Sequence, residues 1–367
     1  MRVALRSIMN EPNREPVSYI LPIKSSAPDT VPELRAYIDW IAARAEVIVV
    51  DGSENAIFAA HEREWGARIQ HVEPAPNLVS PMGKVGGVLT GLQLASHECI
   101  IIADDDVRYD CESLAQVVAA LATADVVRPQ NYFEPLPWHA RWDSSRMLLN
   151  RLTGGDWPGT LGVRRSRLQA TNGYDGSVMF ENLELVRTVL ASGGRERVLS
   201  GAYVLRRPST TRHFWSQRVR QAYDEIARPA RFATQLAVLP AVLALAVTTH
   251  WLAIAIGAAA IVTAAEVGRR REGATRFFPA STPLFAPLWT AERAVCSWLA
   301  LGARIFLGGV PYRGTILHRA ATPMRVLRRR YAAASTSTPM APTMASQSAP
   351  QTAPPGPPTS TAPRRSA

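Results

Sequence analysis

Cys99-Ile100-Ile101-Ile102-Ala103 runs straight into Asp104-Asp105-Asp106-Val107, a short apolar stretch closed by three carboxylates. Such a run, bounded by polar residues, reads as a buried strand. Three carboxylates crowded at its carboxyl end repel one another unless a cation or a donor network neutralises them. Open α/β sheets bind their ligands at that edge. Magnesium or manganese takes one or two carboxylates there and completes its shell with substrate phosphates and water. The same residues also read as an acidic turn capping a helix expected from about Glu112, since Asp is a good N-cap.

The pattern recurs upstream. Residues 17–23 and 47–50 are further Val- and Ile-rich runs, while 31–43, 55–66 and 82–96 have helical character. Leu114, Val117, Val118 and Leu121 recur at helical spacing after the third strand. Strand alternating with helix implies a parallel sheet covered on both faces. The second strand continues into Asp51-Gly52-Ser53, so it too ends in a carboxylate. Met82-Gly83-Lys84-Val85-Gly86-Gly87 opens a helix with glycines and one lysine. A lysine beside helix-start amides suits a diphosphate, although the spacing is not that of a P-loop.

Taken in this order, the segments resemble the family 2 glycosyltransferases, over about Val17 to Arg231. The resemblance implies a GT-A fold, a Rossmann-like mixed α/β sheet with helices on both faces. It implies that Asp51 holds the nucleotide base or ribose and that Lys84 lies by the nucleotide and diphosphate. Asp104 and Asp106 would form the D-x-D pair, with Asp106 the principal ligand of a divalent metal, Mg or Mn.

Further along, Gly159-Thr160-Leu161-Gly162-Val163-Arg164-Arg165-Ser166 resembles the family's small-residue strand near donor and acceptor. Asn172-Gly173-Tyr174-Asp175 matches the segment just before the catalytic acid, and Phe180-Glu181-Asn182-Leu183-Glu184-Leu185 follows where the family has Glu-Asp. The family's Asp is the general base; here Asn182 fills the slot, and an amide is no useful proton acceptor. Glu181 beside it and Glu184 one turn on are the candidates, against a reading of both as solvated acids early in a helix. His213-Phe214-Trp215-Ser216-Gln217-Arg218-Val219-Arg220-Gln221 is similar to the Q-x-x-R-W motif, with Gln217 and Arg220 matched and Gln221 in place of the Trp. Family members place this Arg on the diphosphate; the missing Trp bears on processive synthesis more than on transfer. Arg218 and Arg220 also read as juxtamembrane anchors touching lipid headgroups.

The flanks of this domain point to a membrane. The 367-residue chain has a formal net charge of +11, and many of its arginines flank apolar segments. That placement fits a membrane protein's cytoplasmic side and not a nucleic-acid interface, which interleaves basic and aromatic residues. No charged side chain occurs from Phe232 to Ala265, too long for one span of about 20 residues and sufficient for two short ones. Residues 232–248 and 251–268 read as a helical hairpin turning near Thr249-His250-Trp251, with a buried core hairpin as the alternative. Residues 284–309 are apolar but carry Glu292, Arg293 and Arg304. Mid-span charges cost about 2.5–3.5 kcal/mol each, so an interfacial amphipathic helix is favoured over a third span.

Arg212, Arg218, Arg220, Arg228 and Arg231 precede the hairpin and Arg269, Arg270 and Arg271 follow it. The positive-inside rule then sets both ends, and the domain before them, in the cytoplasm of a multi-pass cell-membrane protein. Residues 1–16 form an N-terminal extension without a signal-peptide core, 310–331 a basic cytoplasmic segment, and 332–367 a Pro/Ala/Ser/Thr-rich tail expected to be disordered. Cys99, Cys111 and Cys296 show neither C-x-x-C spacing nor His partners, which fits a reducing compartment.

The expectation is a membrane-anchored, inverting hexosyltransferase. Its partners would be a nucleotide-diphosphate sugar, a lipid-linked or saccharide acceptor and the bilayer, with no nucleic acid. A degenerate family member that binds nucleotide-sugar or lipid without turnover is the alternative from another class. A sugar nucleotidyltransferase would need a Gly-rich loop that is missing between Ile20 and Thr30.

Overall fold

A computed structural model describes residues 14–26 and 32–336. In chain order the first half runs β1 (Val17–Ile23), α1 (Pro32–Ala42), β2 (Glu46–Asp51), α2 (Asn55–Trp65), β3 (Gln70–Val72), α3 (Gly83–Leu94), β4 (Cys99–Ala103), β5 (Val107–Arg108), α4 (Cys111–Leu121) and β6 (Val126–Phe133). The second half continues α5 (Trp138–Asn150), β7 (Thr160–Arg164), α6 (Arg165–Ala170), α7 (Glu181–Ala191), β8 (Glu196–Arg206), α8 (Thr211–Tyr223), α9 (Pro229–Val247), α10 (Trp251–Arg270), α11 (Ala286–Phe306), β9 (Val310–Tyr312), β10 (Thr315–Leu317) and α12 (Met324–Thr336).

Period-two alternation along the buried strands builds two cores from one apolar run. Ile20, Ile48, Val50, Ile100 and Ile102 face α3 and α7, while Tyr19, Val47, Val49 and Ile101 face α1 and α4. Helices therefore cover both faces of an eight-stranded sheet ordered β3-β2-β1-β4-β7-β6-β8-β5. The first four strands are parallel, but β7 runs antiparallel to both β4 and β6, and β5 antiparallel to β8. The sheet is thus mixed, as the resemblance implies, and not wholly parallel as the alternation alone reads. A run such as Thr160–Arg164 carries no polarity of its own; its direction is set by where its connections arrive. The turn of residues 104–106 does not cap α4, because Asp110 does so, its carboxylate accepting from the Ser113 amide at 2.7 Å.

Two helices, α9 and α10, are long and apolar enough to cross a membrane. They form the hairpin after the sheet domain, and their apolar side chains face outward: Val247 is 82% exposed and Leu252 75%. A core hairpin would bury them, and that reading falls. The feet of both helices are docked, α9 on α11, where Trp298 Nε1 donates to the Leu236 carbonyl at 3.1 Å, and α10 on α5. The Gly268 backbone lies so close to the Leu148 carbonyl that a Cβ there would sit 2.1 Å from its oxygen. Arg151 then caps the helix end, donating to the carbonyls of Gly268 at 3.1 Å and Arg271 at 2.8 Å.

Helix α11 turns Glu292 and Arg293 inward and leaves Arg304 exposed. Arg293 is buried, Glu292 pairs with Arg218, and Arg304 donates to the Gly308 and His318 carbonyls. Leu288, Trp298, Leu299 and Phe306 are exposed instead. The insertion cost of those charges therefore does not decide between an interfacial and a spanning helix, since Glu292 and Arg293 lie against the protein and not on the face that α11 leaves exposed. The basic segment that follows folds back on the sheet domain. Its hairpin β9–β10 is antiparallel, and the Thr322 amide donates to the buried carboxylate of Glu184 at 2.6 Å. Helix α12 reaches Thr336, so the first residues of the expected tail are helical. Residues 337–367, like 1–13 of the expected N-terminal extension, lie outside the described residues.

Candidate active site

The acidic turn after β4 is held by its backbone, the Asp104 amide donating to the Gly159 carbonyl at 2.8 Å just before β7. Its side chains then meet two cations. Lys84 Nζ approaches Asp104 Oδ1 at 2.6 Å, and Arg206 reaches Asp104 Oδ2 at 3.3 Å and Asp106 Oδ2 at 2.8 Å. Asp106 Oδ1 is buried and has no partner among the described residues. Burial pushes the Asp106 carboxyl up to about 6 in spite of the adjacent Arg206, with Asp104 adding repulsion. Asp105 is exposed and stands apart from these pairs.

Lys84 stands at the start of α3 and also bonds Glu181 Oε1 at 2.6 Å, so one ammonium bridges the two acidic segments. Burial works against that charge, yet Asp104 and Glu181 hold the ammonium well above its ordinary range. Two of the glycines that follow have a packing reason: a Cβ at Gly87 would meet Pro22 at 2.8 Å and one at Gly91 would meet Ile20 at 2.5 Å. They let α3 lie close on β1, which brings Lys84 over the strand ends.

Asp51 is only 1% exposed. Its carboxylate accepts from the Ser53 amide at 2.9 Å and bonds His61 Nδ1 at 2.6 Å and His71 Nε2 at 3.3 Å. Burial opposes its ionisation, but the bonds from His71, Ser53 and His61 hold it well below the usual carboxylate range. The ligand atoms of this trio are near enough to share a cation; here they bond one another.

Glu181 opens α7, whereas Glu184, one turn on, is fully buried on the Thr322 amide and its Oε1 faces no partner among the described residues. Asn182 donates its amide to the Pro158 carbonyl at 3.1 Å. An ionised Asp could not make that bond, which gives the amide a structural reason to occupy the slot.

Three cavities join these groups. One of about 600 Å³ is lined by Asp51, Ser53 and Lys84, and one of about 300 Å³ by Lys84, Asp104, Asp106 and Gln217. A third, of about 220 Å³, is lined by Asp104, Glu181, Asn182, Gln217, Asp224 and Arg293. Lys84 is common to the first two and Asp104 to the last two, so Asp51, Lys84, Asp104, Asp106, Gln217 and Glu181 lie along one track. Glu184 and Arg220 line none of the three; Arg220 stacks over the Tyr312 ring at 5.6 Å. Arg218 is no headgroup anchor, being buried between Asp143 and Glu292.

Sequence reasoning missed Arg206, Asp224, Arg293, Tyr312 and Arg313. Arg206 ends β8 and meets Asp106 from 100 residues away, and no local spacing announces such a pair. Tyr312-Arg313-Gly314 did carry a signal, an aromatic, a cation and a glycine at a tight turn, inside a segment read only for its charge.

No family description matches the sequence, and no curated protein is similar enough to be counted a relative. Among solved structures the chain is similar to the mannosyltransferase PcManGT of Pyrobaculum calidifontis, in complex with GDP-Man and Mn2+, at 17% identity. That match covers 89% of this chain and 81% of the other, with a TM-score of 0.45. It is also similar to S. aureus TarS 1–349, at 17% identity over 52% of this chain and 60% of that one, TM-score 0.37. The same TarS segment in complex with UDP-GlcNAc gives 18% identity over 55% and 60%, TM-score 0.39.

Proposed function

We propose that the chain is a membrane-anchored, inverting glycosyltransferase of family 2 type that moves a hexose from a nucleotide-diphosphate sugar to a hydroxyl of a lipid-linked or saccharide acceptor. The observation that carries this reading is the continuity of the three cavities, the first joined to the second by Lys84 and the second to the third by Asp104. A nucleoside would lie toward Asp51, a diphosphate toward Lys84 and Asp106, and the reacting carbon toward Glu181.

The donor set fits a divalent metal, because Asp106 Oδ1 is a hard oxygen left free beside Asp104. Asp106 and Asp104 would hold a Mg or Mn ion, which when bound would supply Lewis-acid charge near the departing diphosphate. Lys84 and Arg206 add fixed donors where negative charge develops. Glu181, oriented by its bond to Lys84, takes the proton of the acceptor hydroxyl as that oxygen attacks the anomeric carbon.

Purified full-length protein given Mn2+ and a panel of nucleotide-sugars is expected to release nucleoside diphosphate with one class of donor. Glu181→Gln lowers the turnover about 100- to 10,000-fold, the usual worth of general-base help. Asn182, fixed as a donor to Pro158, favours a second reading, a binder without turnover. That reading holds if the wild type binds a donor and never releases the diphosphate.

The anchor is α9 and α10, with the arginines that flank them on the cytoplasmic side and α11 lying in the interface, its apolar face toward lipid. With His250→Cys at the tip, a membrane-impermeant maleimide labels position 250 in intact cells and reaches the exposed Cys111 only after lysis. Labelling of Cys111 in intact cells, or of position 250 only after lysis, defeats this topology.

A further inference from the structure

The cavity toward Asp51 and the cavity around Asp106 share a junction, lined in both by Pro22, Ile23, Lys24, Lys84, Tyr312 and Arg313. Two of these come from the far end of the chain, beyond all the apolar helices, where β9 and β10 form a hairpin outside the main sheet. Its base is fixed. Val310 and Leu317 are buried in the main core, Tyr223 Oη donates to the His318 carbonyl at 2.8 Å, and Arg304 donates to the same carbonyl at 2.6 Å.

The tip is unusual in conformation. Arg313 has φ 45° and Gly314 φ 81°, both left-handed, as a tight two-residue hairpin turn with both central residues at positive φ requires. Asn or Gly meets the first of those positions at least cost; a long β-carbon side chain there is strained. The strain sets a guanidinium at the cavity junction that the turn itself does not need. That guanidinium has no hydrogen bond or ion pair among the described residues and only stacks on its neighbour Tyr312, 5.8 Å from the ring centroid.

The charge balance at the junction separates two kinds of cation. Lys84 is engaged by Asp104 and Glu181, and Arg206 by Asp104 and Asp106. Lys24 and Arg313 line the same space and have no carboxylate partner among the described residues. Two uncommitted cations between a nucleoside-sized cavity and an acidic cavity match an anion carrying more than one charge.

We propose that Lys24 and Arg313 clamp the diphosphate of a nucleoside diphosphate at this junction, with the hairpin Val310–Leu317 closing the donor cleft and Tyr312 seating Arg220 against it. The proposal rests on the donor reading above. It also makes the donor cleft a product of both ends of the chain, since Lys24 follows β1 and Arg313 follows α11.

The test is calorimetric binding of UDP and GDP, each with Mn2+, to full-length detergent-purified protein. Arg313→Asn keeps a residue suited to the left-handed turn and removes the cation; Lys24→Ala removes the other; Arg276→Ala, at an exposed residue of the short 3-10 turn Ala274–Arg276 that lines neither cavity, controls for net charge. Each clamp variant is expected to weaken nucleoside diphosphate binding about 10- to 100-fold, the range for a charged hydrogen bond, with Arg276→Ala at the wild-type value. Binding of the free nucleoside should not change. If the wild type binds a nucleoside diphosphate and both clamp variants bind it equally well, the clamp is wrong and the donor reading survives. If the wild type binds neither UDP nor GDP, the donor reading falls and takes the clamp with it.

Discussion

Asp106→Ala is expected to abolish the proposed sugar transfer, lowering nucleoside diphosphate release about a thousandfold or more, while the protein keeps its far-ultraviolet dichroism and its melting temperature. The size follows from the several kcal/mol that a Lewis acid contributes where diphosphate charge develops. The survival of the fold follows from the local geometry. Asp106 Oδ1 has no partner to lose, and Arg206, left by one carboxylate, still holds the other at Asp104. Burial already disfavours the Asp106 carboxylate, so its removal takes away a strained charge and not a stabilising one. Turnover at the wild-type rate in Asp106→Ala would remove this residue from the metal-binding role and leave Lys84 and Arg206 as the charges acting on the diphosphate.

Arg218→Met carries the largest expected effect on stability. The guanidinium is buried where three helices meet, donating to Asp143 Oδ1 at 2.9 Å, Gln221 Oε1 at 2.9 Å and Glu292 Oε2 at 3.0 Å. It thereby ties α8 to α5 and α11, the elements that connect the candidate site to the apolar hairpin. Without it, Asp143 keeps Arg146 at 3.0 Å, but Glu292 loses its partner, and its second oxygen has none already.

Removing one side of a buried pair typically costs about 3–5 kcal/mol, because an uncompensated charge is left behind. A surface headgroup anchor would cost under about 1 kcal/mol, so a melting temperature near the wild-type value would contradict the buried geometry. Arg218→Lys recovers only part, since one ammonium cannot reproduce the planar fork that reaches both carboxylates. The pH dependence has a definite sign. Burial opposes ionisation of Asp143, but Arg146 and Arg218 hold its carboxyl well below the usual range. A group depressed on folding stabilises above its unfolded value, so this contribution is complete at neutral pH, begins to fade as pH falls through about 4, and is lost as pH falls further through the depressed folded value.

The local sequence determined the parts whose physics is local. Strands β1, β2 and β4 were legible because a strand covered on both faces is apolar at nearly every interior position. The acidic strand end was legible because Asp104 and Asp106 have no reason to crowd a buried edge without a counter-charge. The hairpin α9–α10 was legible because no charged side chain occurs from Phe232 to Ala265, a stretch longer than one span of about 20 residues and far longer than a strand.

Tertiary structure decided everything that depends on which distant edges meet. It alone set β7 against β4 in the opposite direction, gave the cap of α4 to Asp110, and brought Arg206 onto Asp106. It turned Glu184 inward to the Thr322 amide while leaving Glu181, three residues earlier in the same helix, on Lys84. It also folded Tyr312 and Arg313 back over a cleft whose other walls lie near the start of the chain. Periodicity and spacing record what a residue needs from its neighbours in sequence. Which charge neutralises which is fixed only when separate elements pack, because a carboxylate's demand for a cation does not say where along the chain that cation comes from.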